Sequence, residues 1–168
     1  EKGKFMADSS PEDPYCGLPE MLDYADSLNE LDLEDKKPLD KKELQNLAME
    51  AEEKMLSVKG VTNTEGSAAS TSKTKITFLS SKNFFKTYNK TIHTISSIAI
   101  AGKDTNMQRD YDFSATVHSE DLKSPSAIGR KAGERASSRL NSRKIKSSNV
   151  DVIFEPRIAK SLLSSLAS

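Results

Sequence analysis

Thr91-Ile92-His93-Thr94-Ile95-Ser96-Ser97-Ile98-Ala99-Ile100, then Gly102-Lys103-Asp104-Thr105-Asn106, then Asp110-Tyr111-Asp112-Phe113-Ser114-Ala115-Thr116-Val117 is the stretch that decides the fold. In its first part Ile92, Thr94, Ser96, Ile98 and Ile100 share one parity, and in its last part Tyr111, Phe113, Ala115 and Val117 alternate with Asp110, Asp112, Ser114 and Thr116. A period of two is the signature of a strand. The five residues between carry the Gly, Asp and Asn of a tight turn, so an antiparallel hairpin is expected. Upstream, Thr74, Ile76 and Phe78 alternate with Lys73, Lys75 and Thr77, which adds a third strand. The link over residues 80–89 is polar apart from Phe84, Phe85 and Tyr88, and reads as a mobile loop whose aromatics dock on a partner or on the sheet end.

Helices flank these strands. Before them, Asp40 and Glu43 have the spacing of a capping box, with Leu39 and Leu44 as its hydrophobic staple. Leu44, Leu47, Ala48, Ala51 and Met55 make one apolar stripe, Glu50 and Lys54 are spaced as an i,i+4 pair, and Gly60 is expected to cap the end. After the strands, Ser124-Pro125 supplies a capping hydroxyl and a proline at the first helical position. Ile128, Ala132, Ala136 and Leu140 line one side of that helix, and Gly129 and Gly133 imply close approach of another backbone. Asn141-Ser142 is expected to end it, and the stretch from Ile128 to Lys146 is strongly basic: Arg130, Lys131, Arg135, Arg139, Arg143, Lys144 and Lys146 are opposed only by Glu134.

The remainder is less regular. Residues 1–37 alternate acids with turn formers and read as an acidic connector, within which Met21, Leu22, Ala25, Leu28 and Leu31 suggest a short helix. Val150, Val152, Ile153 and Phe154 have the near-continuous apolar character of a strand buried on both faces. Ile158, Leu162, Leu163 and Leu166 then recur at helical spacing. The chain starts at Glu1 without an initiator methionine and stops on that apolar face, so it is expected to be a piece of a longer protein. The resulting division is an acidic connector (1–37), an α+β domain (38–146) and the first strand and helix of a truncated second domain (147–168). The fold class is α+β, an antiparallel sheet of at least three strands with packed helices.

Composition narrows the function. The 35% apolar share supports a modest core, while 6% aromatic residues and no Trp leave little for an aromatic ligand cage. The net charge of +0 conceals an acidic first part, with 8 Lys/Arg against 16 Asp/Glu in residues 1–59, and a basic remainder, with 17 against 9. The two are self-complementary, or each faces a different part of a longer chain, or both are ordinary solvated surfaces. Cys16 is the only cysteine, which excludes an intrachain disulfide and suits a reducing compartment. No apolar run reaches transmembrane length. There is no P-loop, dinucleotide glycine fingerprint, HExxH, Cys-x-x-Cys or Gly-x-Ser-x-Gly elbow. His93 and His118 lie on different expected strands, with no acidic residue at ligand spacing, so neither a catalytic set nor a metal site is assigned. The basic stripe could contact polyanions or an acidic partner, although no aromatic residue interleaves it. A free sheet edge, if one exists, could accept an extended peptide as an added strand.

Several short motifs occur in a fixed order. They are Thr62-Asn63-Thr64-Glu65-Gly66 after Gly60-Val61, then Arg109-Asp110-Tyr111 after Asn106-Met107-Gln108, then Ile128-Gly129 through Ala136 with Arg139 to Lys144, and finally Val152-Ile153-Phe154. In this order the chain resembles the middle of the TldD/PmbA family, also described as modulators of DNA gyrase. The likeness runs from about Asp13-Pro14-Tyr15 onward and is clearest after Gly60. The family's usual glycine near residues 80–84 is missing, and Asp112 stands where an aromatic is common.

The resemblance implies cytoplasmic proteins that act as a protease pair on unfolded peptides. The TldD type carries zinc on an HExxxH helix directly after the strand resembling Val152 to Phe154, and the PmbA type lacks that motif. Here Ser164-Ser165 occupy the positions of its first His and Glu, so neither a first ligand nor a general base is present. The expectation is therefore a non-catalytic PmbA-type subunit, with no cofactor of its own and zinc in a TldD-like partner, or self-association. The competing expectation is a DNA- or gyrase-associated regulator using the basic helix at 128–146.

Overall fold

The computed structural model describes residues 1–20, 24 and 31–167. Its elements are α1 (Lys2–Ser9), α2 (Lys41–Leu56), β1 (Val61–Leu79), β2 (Phe85–Ala101), β3 (Gln108–Thr116), α3 (Pro125–Ser138) and α4 (Pro156–Ala167). The strands form one antiparallel sheet in the order β1-β2-β3, and the fold is α+β as expected.

The capping box forms as read: Asp40 accepts from the Glu43 amide at 2.8 Å and Glu43 accepts from the Asp40 amide at 2.7 Å. Ser124 caps α3, accepting from the Ala127 amide at 3.2 Å. Two expected details differ. Gly60 (φ +96°) serves the turn into β1, because Ser57 already caps α2. Glu50 accepts from Ser126 Oγ of α3 at 2.6 Å, a bond that ties the two helices together.

α2 and α3 cover one face of the sheet. Met55, Ala99, Ala101, Ala132 and Ala136 form one fully buried cluster, and Ala51, Ile95 and Ile128 form another. Burial of each large side chain among them contributes roughly 1.5–3 kcal/mol. The glycine reading holds here, since a Cβ at Gly129 would overlap the Ala51 carbonyl and one at Gly133 would lie 2.8 Å from Val58 Cγ2.

The mobile loop expected over 80–89 is replaced mostly by strand. Leu79 pairs with Phe85 and the Ser80 amide donates to the Phe84 carbonyl at 2.9 Å, closing a tight hairpin. Residues 85–89 therefore extend β2, and β1 reaches back to Val61 through two irregularities near Asn63 and Gly66. Phe84 stacks on Tyr24 with ring centroids 4.1 Å apart.

The connector is not uniformly extended. Residues 2–9 are helical, and residues 31–35 dock on the sheet, where the Thr91 amide donates to the Leu33 carbonyl at 2.9 Å. The short helix expected around Met21 to Leu31 lies largely outside the described residues. Glu20 pairs with Lys82 and Glu34 with Lys73, so the acidic first part and the basic remainder do meet. Self-complementarity accounts for part of the charge asymmetry.

At the other end, residues 142–155 have no regular secondary structure. The buried strand expected at Val150 to Phe154 is absent: Ile153 is 97% exposed, and no other described strand pairs with this run. An apolar run becomes a strand only where a neighbour accepts its backbone hydrogen bonds. The basic stretch 128–146 is helical only in part, and the helix ends close to the Asn141-Ser142 stop read from the sequence. It stops at Ser138, and Asn141 enters the left-handed region (φ 58°), which breaks the helical path before Arg143.

Candidate functional site

The sheet's two faces have opposite chemistry. The face under the helices carries Thr91, His93, Ser97 and Asp110 alongside small apolar residues. Its polar groups are largely satisfied in pairs, with Ser67 and Ser97 hydroxyls 2.8 Å apart and Thr71 Oγ1 2.9 Å from His93 Nδ1. The open face carries Ile92, Tyr111 and Phe113 at 39%, 40% and 49% exposure. Thr94, Ser96, Ile98, Arg109, Tyr111 and Phe113 line a shallow hollow of about 350 Å³ there.

The motif residues separated by more than forty positions in sequence meet at one end of the sheet. Arg109 Nε donates to Glu65 Oε1 at 2.7 Å across β2, and that bond holds the Glu65 carboxyl below its ordinary range while raising Arg109. Thr64 Oγ1 donates to the Ile98 carbonyl at 3.1 Å and accepts from the Gly66 amide at 2.7 Å. Gly66 has φ +108°, a conformation that costs glycine little, and it sits at the second irregularity of β1. Thr62 donates to the Gly102 carbonyl. Asn63 accepts from the Thr64 amide at 2.8 Å. These bonds join the start of β1 to the end of β2 and the start of β3, and explain why the motifs go together.

Asp110, only 5% exposed, accepts from Arg139 at 2.9 Å and from Arg157 at 2.7 Å. Burial pushes its carboxyl up, but hydrogen bonds from Arg157, the Tyr111 amide and Arg139 more than reverse this and leave it well below the usual carboxylate range. Tyr111 presents its ring to Arg157, whose guanidinium carbon is 5.1 Å from the centroid.

The basic stripe divides. Arg135 is engaged by Asp112 and by Glu155 at 2.6 Å, and Arg139 by Asp110. Arg130 and Lys131 are exposed on α3, while Arg143 and Lys144 lie beyond the helix. Only part of the stripe therefore presents as one surface.

Sequence reading missed the role of Asp35. This residue sits beneath Ser119, accepting from its amide and hydroxyl at 2.9 Å each, and from the Lys37 amide at 2.8 Å. His93, fully buried, places Nε2 3.0 Å from Asp35 Oδ2, out of line for a hydrogen bond. The Ser119 and Lys37 amides hold Asp35 well below the usual carboxylate range against the effect of burial. His118 Nε2 similarly lies 3.2 Å from Asp32. The available signal was weak: an acid in a turn-rich segment and a histidine on the helix-facing parity of a strand.

For metal chemistry the donor set does not fit. Among the described residues no group of three His, Cys, Asp or Glu side chains could hold a metal ion. Cys16 is exposed and stands apart from both histidines in the sequence. No described helix is long and apolar enough to cross a membrane.

Against this geometry, the profile of the PmbA/TldA metallopeptidase central domain matches residues 27–140. Metalloprotease PmbA of Escherichia coli O157:H7 is 31% identical over 155 residues, covering 92% of this chain and 34% of that protein. The PmbA homolog of Buchnera aphidicola subsp. Acyrthosiphon pisum is 36% identical over 110 residues, covering 66% of this chain and 25% of its own length. This chain thus spans a quarter to a third of these relatives. Among solved structures, a Bacteroides thetaiotaomicron protein named for modulation of DNA gyrase superposes with a TM-score of 0.82 at 21% identity, covering 98% of this chain and 38% of that one. A similarly named Thermotoga maritima protein gives 0.58 at 21% identity, covering 69% and 29%.

Proposed function

This chain belongs to the PmbA/TldD metallopeptidase family, and on that premise we propose that it is part of a PmbA-type, non-catalytic subunit of a cytoplasmic zinc metalloprotease pair. Its part is to help a TldD-like subunit enclose unfolded peptides and offer them to that subunit's zinc. The observation that carries the reading is the sequence of α4. Ser161-Leu162-Leu163-Ser164-Ser165-Leu166 sits where the resemblance places the zinc-binding helix, and it offers neither an imidazole nor a carboxylate.

Two features support a peptide-handling role. The outer edge of β1 has no neighbouring strand among the described residues, so its main-chain groups are available to an added strand. Beside it, the open sheet face offers Ile92, Ile98, Tyr111 and Phe113 to apolar side chains. The histidines have structural surroundings, His93 between Thr71 and Asp35 and His118 beside Asp32.

The experiment is to purify the chain alone and with a TldD-type protein, then measure zinc content and cleavage of an unfolded peptide. Cleavage should require the second protein and its zinc. Zinc-dependent cleavage by this chain alone that disappears in His93→Ala or His118→Ala would sink the proposal. The nucleic-acid reading is weakened because Arg135 and Arg139 are engaged by carboxylates.

A further inference from the structure

β2 outruns β3. The two strands pair from His93 to Ala101, whereas β2 begins at Phe85. Just past His93 the edge of β2 is taken by the chain's own residues 33–35: the Thr91 amide donates to the Leu33 carbonyl at 2.9 Å, and the Asp35 amide donates to Thr91 Oγ1 at 3.2 Å. The side chains divide by role, because the sheet and the link into α3 supply donors and the segment supplies carboxylates. Glu34 accepts from Asn89 Nδ2 at 2.9 Å and pairs with Lys73 of β1. Asp35 accepts from the amide and the hydroxyl of Ser119 at 2.9 Å each. Behind it stands His93, fully buried, with an unpartnered Nε2 3.0 Å from Asp35 Oδ2. Glu34 is held below its ordinary carboxylate range chiefly by Lys73, and Asp35 chiefly by the Ser119 amide.

We propose that this edge of β2 is a binding site for an extended peptide bearing two adjacent carboxylates, and that residues 33–35 are the occupant the chain supplies in cis. Main-chain bonding to a strand edge is indifferent to sequence, so selectivity comes from the two carboxylate seats. The seat formed by Lys73 and Asn89 is a charge contact near the surface, and salt screens it. The seat formed by Ser119 and His93 is buried, and an apolar side chain there would leave the Ser119 amide and hydroxyl without a partner. It is therefore the more selective of the two. An outside peptide has to displace a tethered competitor, so its apparent affinity is lowered in proportion to the time the segment spends docked. The site lies across the hairpin from the outer edge of β1, and it stands whether or not the proposed protease role does.

The test is fluorescence anisotropy with a labelled peptide carrying the sequence of residues 31–37, titrated with the full chain as parent and as the double variant Glu34→Gln, Asp35→Asn. Vacating the two seats should tighten binding by about tenfold or more, because the competing segment no longer occupies them. A control peptide with the same two substitutions should bind neither protein, and Ser119→Ala added to the double variant should reverse the gain. A folded double variant that binds the acidic peptide no more tightly than the parent does overturns the site. Equal binding of the acidic and control peptides overturns the carboxylate selectivity. If the double variant loses its urea transition, the parent supplies the answer: an excess of the acidic peptide, and not of the control, should speed hydrogen exchange at the Asp35 amide, and an unchanged rate overturns the proposal.

Discussion

Gly129 shows how much one position can carry. Its missing side chain lets α3 lie against the backbone of α2 at Ala51, and Gly133 repeats the approach one turn later against Val58. Gly129→Ala is expected to destabilise the fold by about 1–3 kcal/mol or more, because the obstacle is a carbonyl that cannot rotate away. The loss should appear as a lower urea midpoint, and a midpoint equal to the parent's would refute the close-packing account. Gly133→Ala should cost less, since its nearest obstacle, Val58 Cγ2 at 2.8 Å, is farther away than the Ala51 carbonyl oxygen at 1.9 Å. The spacing of these glycines made the contact legible in the sequence. His93 was not legible in that way: alternation assigns it to a strand, but does not say which parity meets the helices. Small residues such as Ala99 and Ala101 allow the helices to approach, so the face containing His93 is buried and that containing Tyr111 is left open. His93→Ala removes the partner of the Thr71 hydroxyl and should cost about 1–3 kcal/mol in urea unfolding.

The elements that sequence signals located best are those whose signals are local. Asp40 and Glu43 define the start of α2 through bonds made within four residues, and Asp40→Ala should cost about 1 kcal/mol, measured by thermal or urea unfolding. A change no larger than that of an exposed mid-helix substitution would count against the capping role. Ser124-Pro125 located α3 for the same reason. Elements that depend on a distant partner were harder to read. Residues 61–72 are rich in Thr, Ser, Gly and Ala and lack apolar alternation, yet β2 draws them into a strand through its ladder. Val150 to Phe154 show the converse, a strand-like composition with no described neighbour to pair with. Among the site residues, the ordered motifs were visible, whereas the Glu65–Arg109 bond and Asp35's anchoring role depended on the sheet register and the docking of the connector.

For the whole molecule, acid response follows from how its charges are placed. Asp35 and Asp110 both titrate below their ordinary range, Asp35 through the Ser119 and Lys37 amides and Asp110 through Arg157, the Tyr111 amide and Arg139 against the effect of burial. In the unfolded chain both return to about 3.9. The folded state therefore binds protons less readily than the unfolded state, and these groups stabilise it fully above that value. As pH falls below about 4 toward the folded-state values, the contribution is lost, so unfolding free energy should fall with acidification. Glu155 and Glu65 act in the same direction from more exposed positions. Urea unfolding at steps from neutral to acidic pH should therefore show a descent that is shallower in Asp110→Asn. Arg157→Gln should flatten it in part, because Arg139 still holds Asp110 after Arg157 is gone. If all three proteins descend with one slope, the buried carboxylate is not what links this fold to pH, and the acid sensitivity must come from elsewhere in the charge distribution.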